Sequence, residues 1–477
     1  MVLKKLKRAV ERFSKDLLRL AQGVNGNKLK NFFGKYCPWV EAPRALKVSL
    51  TKVLRPRPTL SGVAPSPLHE AERTLYEGLE KRRLKRSDRE VVVTTESWAA
   101  DGACVAFDGN GKLLLVRFAV PGETARVRVY KESPHYGLAE PVEFLSQSAA
   151  RRRPPCPLFG TCGGCDYQML SPGDQLDVKR RFAREVFRRV TGNDVELAGT
   201  LPSPDDFHYR NTATFKVDAR RRTIGFFRRD TKFIVDVERC LIAMSGINEA
   251  LDSVRHQDQF PPHNFKVRTT ASGDTVVHWV AANGYEDRPV VEAVAARGTR
   301  LEFEISKDAF FQVNDSLIPA WLELLCGHLE GKRVADLYCG IGLIALFAGL
   351  EAEEVVGVEI SRPAVRDARK NARRNGLDDR VRFVRGDVAE VLPELVGTGG
   401  IDAVVVDPPR KGLDPFTAGA LLKYRPPRVV YSSCMPSTFA RDVAALSAAY
   451  DLEELHLVDF FPQTHHVEVV GLLVRKS

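Results

Sequence analysis

The stretch from Val334 to Glu359 constrains the fold of this chain more than any other. An apolar run at 334–337, which we predict to be a strand, leads into a turn with two glycines, an apolar helix and a second apolar strand that ends in Glu359. A strand, a glycine turn, a helix and a strand ending in an acid form a βαβ unit whose acid can bind ribose hydroxyl groups. The pattern predicts a parallel α/β sheet with a nucleotide-type ligand. A βαβ unit without a ligand is the alternative.

The glycine turn reads Asp-Leu-Tyr-Cys-Gly-Ile-Gly over 336–342, not Gly-x-Gly-x-x-Gly. It resembles the S-adenosylmethionine site of class I methyltransferases rather than a dinucleotide site. A third predicted strand is followed by Asp387, and a fourth ends in Asp407, two prolines and Arg410. Ligands of open α/β sheets bind at the carboxyl ends of the parallel strands, so these acids fall where the resemblance expects a methyl donor.

Composition limits the partners of the 477-residue chain. Its formal charge of +10 indicates an acidic partner, most often nucleic acid. No apolar run reaches the length of a membrane span, and the first residues carry no apolar signal-peptide core. Nine cysteines, four of them in a metal-like pattern, favour a reducing compartment over a disulfide framework. We therefore expect a cytoplasmic protein with an RNA partner and no membrane partner.

The character of the sequence changes three times, which predicts four segments. Residues 1–90 are a basic extension that could be a disordered arm, an RNA contact or a transit peptide. Residues 91–148 alternate strand-like runs with glycine turns, as a small OB-like β-barrel does. Residues 149–310 form a central α+β domain, and residues 311–477 form the methyltransferase domain. The barrel resembles the TRAM domain of RNA-modifying enzymes through Asp-Gly at 101–102, Phe-Asp-Gly at 107–109 and Pro-Gly-Glu at 121–123.

Four cysteines of the central segment have the spacing of a metal site. Cys156, Cys162 and Cys165 lie close together in a glycine-bearing loop, and Cys240 lies further along the chain. Three near thiols and a distant fourth suit a 4Fe-4S cluster. Zinc also takes four thiolates, but usually from paired C-x2-C knuckles, and four cysteines without a ligand are a third possibility. A cluster with four protein ligands has no open position, so we expect it to be structural.

Two residues near the C-terminus have the chemistry of a nucleophile and a base. Cys434 follows a fifth predicted strand, and Glu468 lies at the start of the last one. In class I methyltransferases the last strand is antiparallel, which would bring its start to the edge that carries Cys434. An apolar environment would raise the pKa of Glu468 and suit it to proton transfer. The alternatives are a buried structural cysteine and a surface glutamate. His465 and His466 read as hydrogen-bonding scaffold.

Several ordered motifs together resemble the RNA 5-methyluridine methyltransferases, in the branch with a TRAM domain and an iron–sulfur cluster. They include Tyr-Arg-Asn at 209–211, Phe-x-Gln-x-Asn at 310–314, Ser-Ser-Cys-x-Pro at 432–436 and Phe-Pro-x-Thr-x-His-Val-Glu at 461–468. The resemblance implies Cys434 as nucleophile and Glu468 as base. Leu343 stands where some members have a donor-contacting Asn. The resemblance implies that S-adenosylmethionine is bound by Gln312, Tyr338, Glu359, Asp387 and Asp407.

The implied reaction is methylation of uracil carbon 5, in which a thiolate adds to carbon 6 and a base later removes the hydrogen from carbon 5. A 5-methylcytidine enzyme would carry a cysteine in the loop after Asp407, and an amino-group enzyme would carry an aromatic residue at Arg410. An RNA-binding protein without activity would leave Cys434 and Glu468 unexplained. We expect a monomer acting on ribosomal RNA, with transfer RNA as the alternative.

Overall fold

A computed structural model describes residues 85–279, 288–397 and 400–477. The basic extension expected over 1–90 lies outside these ranges except for its last six residues, which already belong to a strand. In the described ranges, no helix is both long enough and apolar enough to cross a membrane.

The first part of the described chain is a closed five-stranded barrel, in the order β1-β2-β3-β5-β4. Side chains of β4 alternate between the core and the surface, and Ala125, Val127 and Val129 point inward. The first strand starts six residues before the predicted barrel, and the last strand was not predicted because charged residues and Pro141 interrupt its apolar pattern. The strands are β1 (Lys85–Trp98), β2 (Ala103–Phe107), β3 (Leu113–Arg117), β4 (Thr124–Glu132) and β5 (Tyr136–Ser146).

The central part mixes one long helix with a five-stranded antiparallel sheet in the order β11-β10-β7-β8-β9 and a separate β12–β13 hairpin. Phe215 and Phe265 stack in the core of the sheet with ring centroids 5.2 Å apart. The elements are α1 (Pro172–Thr191), β6 (Gly199–Leu201), β7 (Thr212–Asp218), β8 (Thr223–Phe227), β9 (Ile234–Asp236), α2 (Ser245–Arg255), β10 (Phe265–Thr269), β11 (Thr275–Trp279), β12 (Val290–Ala296) and β13 (Thr299–Ile305).

The last part is an α/β fold around one sheet in the order β16-β15-β14-β17-β18-β20-β19-β6. Its first five strands are parallel, and β20 runs antiparallel to both neighbours, as predicted. The elements are α3 (Ile318–Gly327), β14 (Arg333–Leu337), α4 (Leu343–Ala348), β15 (Glu354–Glu359), α5 (Arg362–Arg374), β16 (Val381–Arg385), α6 (Val388–Gly397), β17 (Ala403–Val406), α7 (Pro415–Tyr424), β18 (Arg428–Ser433), α8 (Pro436–Leu446), β19 (Tyr450–Val458) and β20 (Glu468–Arg475).

Two elements of the central part pack on this sheet. Strand β6 pairs in parallel with β19 at the sheet edge, and Phe187 of α1 packs against Phe439 of α8 with ring centroids 6.4 Å apart. Buried apolar side chains cover both faces of the sheet, as is usual for parallel strands such as the first five of this sheet. The carboxyl ends of β14, β15, β17 and β18 are thereby held at one edge.

Candidate active site

Strand register brings Cys434 and Glu468 to the same edge. Ser433, the last residue of β18, pairs with Val469 of β20, so Cys434 and Glu468 occupy the next opposed positions. The Cys434 thiol is partly exposed, and burial together with the charges of Glu468 and Asp407 raises its pKa. The charge of Arg410 acts in the opposite direction. A thiol and a carboxylate therefore lie at the same edge of the sheet, near enough for the charge of Glu468 to act on Cys434, although 34 positions separate them in the sequence (468 − 434).

The Glu468 carboxyl group is 2% exposed, and burial raises its pKa to about 7. The Ser432 hydroxyl donates a hydrogen bond of 2.5 Å to Glu468 Oε1, which favours the ionised form. Trp321 Nε1 donates in turn to the Ser432 oxygen at 3.4 Å. A carboxyl group that titrates near neutral pH can accept a proton and release it again, as a general base must.

Two further buried acids, Asp407 and Asp336, extend the acidic region that begins at Glu468. Asp336 is fully buried, and burial raises its pKa to about 8 although the Ala345 N–H donates to its Oδ2. Within the described ranges, its Oδ1 is buried with no hydrogen-bond partner. Burial, then the charges of Glu468 and Asp336, also raises the pKa of Asp407. Such a concentration of acids favours a cationic ligand, and the sulfonium of S-adenosylmethionine fits that requirement.

The glycine turn leaves room for a ligand beside Glu359. Gly340 has a φ of +55°, and a Cβ there would enter open space, whereas a Cβ on Gly342 would meet the Phe383 ring at 2.6 Å. The Gly340 N–H donates to Glu359 Oε2 at 3.2 Å, and the Ser361 N–H donates to Oε1 at 2.7 Å. The carboxylate that closes β15 is thus held in place beside the turn.

The other residues expected at the donor site lie as follows. Tyr338 also has a positive φ, of +67°, and its hydroxyl donates to Asp414 at 3.4 Å. Asp387 is exposed after β16 and accepts from the Ala389 N–H at 3.0 Å. Gln312 is buried before α3, and its backbone carbonyl accepts from Asn211 at 2.8 Å. Asn211 belongs to the Tyr-Arg-Asn motif, so that motif supports the Gln312 loop.

The four cysteines of the central part line one cavity of about 360 Å³. Their side chains carry no disulfide. The Cys156 N–H donates to the Gln168 side chain at 3.1 Å, and the Cys240 N–H donates to the Asn248 side chain at 2.8 Å, so side chains hold both segments of the cavity wall. Burial raises the pKa of Cys162 to about 11, as in a pocket lined by apolar groups. Four thiols that line one cavity of this volume fit a multi-atom cluster.

The loop that carries Cys156, Cys162 and Cys165, called the cysteine loop below, is hydrogen-bonded to the loop before Glu468. The sequence did not predict these hydrogen bonds. Asp166 and Tyr167 donate their N–H groups to the Gln463 carbonyl at 2.8 and 3.0 Å. His465 Nδ1 donates to the Asp166 carboxylate at 2.7 Å across 299 positions of sequence. The sequence did not predict Ser432 as the hydrogen-bond partner of Glu468 either. A hydrogen bond between distant segments leaves no local pattern, so only the fold reveals such partners.

His466 takes little part in proton transfer at neutral pH. Burial, then the positive charges of His465 and Arg410, lowers the pKa of His466 to about 3, so its ring is neutral. Glu468, whose pKa lies near 7, is the better base of the two.

A groove of about 920 Å³ lies between the barrel and the β8–β9 hairpin. Six of the side chains that line it are cationic and three are acidic. A groove rich in arginine and lysine beside a β-barrel suits contact with phosphates. The cationic residues are Arg86, Arg128, Lys131, Arg228, Arg229 and Lys232.

Comparisons with known proteins identify the family of this chain. The family model described as tRNA (Uracil-5-)-methyltransferase matches residues 283–477. A protein of Aquifex aeolicus named an uncharacterized RNA methyltransferase is 34% identical over 77% of this chain and 95% of its own length. One of Halalkalibacterium halodurans with the same kind of name is 31% identical over 81% and 97%.

A solved structure has the same fold. The tRNA (uracil-54, C5)-methyltransferase of Pyrococcus abyssi, in complex with S-adenosyl-L-homocysteine, superposes with a TM-score of 0.63 at 24% identity. The match covers 80% of this chain and 99% of that one. The class I methyltransferase fold predicted from the glycine turn is therefore confirmed. With the family match, these relatives show that the chain belongs to the RNA uracil-5-methyltransferases, the enzymes that transfer a methyl group from S-adenosylmethionine to carbon 5 of uracil in RNA.

Proposed function

We propose that the enzyme methylates one uridine of structured RNA through a covalent intermediate, with Cys434 as nucleophile and Glu468 as base. The observation that carries this proposal is the β18–β20 register, whose last pair is Ser433 and Val469, the chain neighbours of Cys434 and Glu468. Nucleophile and base must both reach one base ring, and opposed positions on adjacent strands meet that requirement.

The steps follow from the chemistry of uracil. The Cys434 thiolate adds to carbon 6, and the ring electrons shift to give an enolate with carbon 5 as its nucleophilic atom. Carbon 5 then attacks the methyl group of S-adenosylmethionine, the sulfur–methyl bond breaks, and S-adenosylhomocysteine leaves. Glu468 removes the hydrogen left on carbon 5, the double bond re-forms and the carbon 6–sulfur bond breaks, which returns the thiolate. The target base must be unstacked to reach these groups, so a loop of RNA is the expected substrate.

The methyl donor lies, in this proposal, between the glycine turn and the acids at the strand ends. Glu359, which two backbone N–H groups fix in place, suits the ribose hydroxyls. Asp387 suits the adenine. Asp407, whose pKa is raised by burial and by the charges of Glu468 and Asp336, would be ionised by the cationic sulfonium bound beside it, because a nearby positive charge favours the carboxylate. Tyr338 and Gln312 complete the donor site that the family resemblance implies.

Cys156, Cys162, Cys165 and Cys240 hold a 4Fe-4S cluster in this proposal. The shared cavity that they line supports it, as do the hydrogen bonds that hold the backbone of Cys156 and Cys240 in place. The cluster would supply a rigid cross-link between the cysteine loop and the segment of Cys240. The cysteine loop is also hydrogen-bonded to the segment before Glu468. The cluster would therefore help to position Glu468 and would take no part in the reaction.

The barrel acts as a TRAM-like RNA-binding module, and the cationic groove beside it supports this role. Ribosomal RNA of the 23S type is the substrate we favour, because the chain resembles the branch with a cluster and a TRAM domain, and that branch acts mostly on ribosomal RNA. Transfer RNA is the second candidate, since the Pyrococcus abyssi protein is named for it. A monomeric state and a cytoplasmic location remain predictions.

Nucleoside mass spectrometry of RNA from a deletion strain tests the function. We expect one 5-methyluridine to be missing from 23S ribosomal RNA and to return when the purified enzyme and S-adenosylmethionine are added. Loss of 5-methyluridine from transfer RNA alone would move the substrate to the second candidate. Unchanged 5-methyluridine in both RNAs, or formation of 5-methylcytidine, would overturn the proposal.

A further inference from the structure

A cluster of metal-binding side chains lies far from the cysteines in sequence and belongs to no step of the reaction. His328 caps the C-terminus of α3, while Glu454 and His456 lie two positions apart on β19. One ligand atom from each of the three lies within 4.8 Å of the others. We propose that these three side chains bind a divalent transition-metal ion of the zinc class as a structural site.

The donor set and its spacing suit such an ion. His456 Nε2 lies 2.7 Å from Glu454 Oε2, and His328 Nε2 lies 3.5 Å from the same oxygen. Zinc binds histidine nitrogen and carboxylate oxygen at about 2.0–2.2 Å in a tetrahedron, which separates its ligand atoms by roughly 3.3 Å. Small side-chain movements bring the three atoms to that separation, and a water molecule can complete the tetrahedron.

The His456 ring is held in its orientation by a glycine on the neighbouring strand. Gly199 of β6 pairs with His456, and a Cβ on Gly199 would stand 2.8 Å from His456 Nδ1. The ring thus lies against the backbone of β6, at a place where a larger residue would displace it. This leaves Nε2 as the nitrogen directed at Glu454 and His328.

The charges around His328, Glu454 and His456, and the solvent exposure of these side chains, allow a cation to bind there. Arg428 is the nearby basic side chain, and it is paired with Glu330 at 2.9 Å. The side chains of His328, His456 and Glu454 are 18%, 14% and 39% exposed, so an ion can enter from solvent while two ligands stay largely covered.

A metal ion at this place would fasten α3 to the edge of the sheet. Helix α3 also carries Trp321, whose indole N–H donates to Ser432, the hydroxyl partner of Glu468. The ion would therefore stabilise the support of the active site without touching the substrate. Its effect should appear mainly in stability.

The test uses the full-length protein with its iron content measured, titrated anaerobically with Zn²⁺ by calorimetry and with Co²⁺ by absorption. We compare wild type with His328→Ala, His456→Ala and Glu454→Gln, the last of which keeps the side-chain shape. His256→Ala is the matched control, because His256 pairs with Asp252 on an exposed helix face.

Wild type and the His256 variant should bind about one Zn²⁺ per chain in addition to any metal held by the four cysteines. Both should unfold at a higher temperature when Zn²⁺ is present. The variants at His328, His456 and Glu454 should bind Zn²⁺ about 100-fold or more weakly than wild type, since losing even an outer-shell partner costs about 10- to 100-fold in metal affinity. Equal binding by the three variants and wild type would overturn the proposal. So would bound Co²⁺ that shows thiolate charge-transfer absorption in every variant, because the cysteines would then hold the ion.

Discussion

Asp166 accepts a hydrogen bond from His465 Nδ1 at 2.7 Å, and this bond joins the cysteine loop to the segment that leads into Glu468. Asp166 follows Cys165 directly, and His465 precedes Glu468 by three positions. Burial opposes ionisation of Asp166, but the hydrogen bond and charge of His465, with the charge of Arg229, hold its pKa at about 2. An ionised, buried carboxylate thus connects the two sites.

Replacing this carboxylate should destabilise the enzyme and disturb the base. Asp166→Asn removes the charge that faces His465 and Arg229, and breaking a buried ion pair typically costs about 3–5 kcal/mol. We expect a matching fall in the free energy of unfolding and slower methylation, with donor affinity unchanged. Asp101→Asn is the control, because Asp101 lies near the other nitrogen of His465 but is 61% exposed. The free energy of unfolding of Asp101→Asn should stay within about 0.5 kcal/mol of the wild-type value. An equal loss of stability in both variants would contradict the role of Asp166 in connecting the two sites.

The cluster assignment predicts about four irons per chain in anaerobically purified, brown protein. Cys240→Ala should lower the iron content sharply, because a ligand from a distant segment is removed. Cys326→Ala, which removes a buried thiol outside the cavity, should retain the colour and the iron. Colourless wild-type protein with stoichiometric zinc would contradict the assignment.

The raised pKa of Glu468, about 7, predicts a pH dependence. A base must be deprotonated to act, so the rate of product release from the intermediate should rise with pH and level off above about 7. The Ser432 hydroxyl favours the ionised form of Glu468. Ser432→Ala should therefore move this rise to higher pH by about one to two units, since hydrogen bonds to charged groups contribute about 1.5–3 kcal/mol and one pKa unit is about 1.4 kcal/mol. Ser433→Ala is the neighbouring control. Identical single-turnover pH profiles for wild type and Ser432→Ala would argue against Glu468 as the base.

The cationic groove predicts a salt-dependent RNA affinity. Arg128→Ala, Lys131→Ala and Arg228→Ala should each weaken RNA binding and lower the slope of log affinity against log salt by about one. Lys423→Ala on α7, outside the groove, should leave the slope as it is, and donor affinity should not change in any of the four. Filter binding across a salt series measures this, and unchanged slopes in the groove variants would exclude the groove from RNA contact.

The sequence predicted the elements whose signals are local. The strand, glycine turn and acid between Val334 and Glu359 lie where expected. The antiparallel direction of β20, by contrast, was implied by the resemblance to class I methyltransferases and not by a local pattern. Apolar strands buried on both faces and glycines at tight turns follow from short-range rules, so this part of the fold could be predicted from residues alone. The family, confirmed by the relatives, rested on motifs of the same kind.

Other features depend on contacts that no local pattern encodes. Strand β6 is three residues long and joins the sheet only because β19 offers it an edge. Strand β19 was not predicted either, since charged residues and His456 interrupt its apolar face. The bonds from Asp166 to His465 and from Ser432 to Glu468 pair residues of different segments or neighbouring strands. Their geometry exists only once the sheet has assembled.

Glu468→Gln tests the central claim most directly. The amide keeps the size of the side chain but cannot take a proton, so Cys434 should still add to uracil and the methyl transfer should still occur. The intermediate should then persist as a protein–RNA adduct that survives denaturing electrophoresis and requires S-adenosylmethionine. The double variant with Cys434→Ala should give no adduct. Normal turnover by Glu468→Gln, or bound RNA without any adduct, would contradict the roles proposed for Cys434 and Glu468.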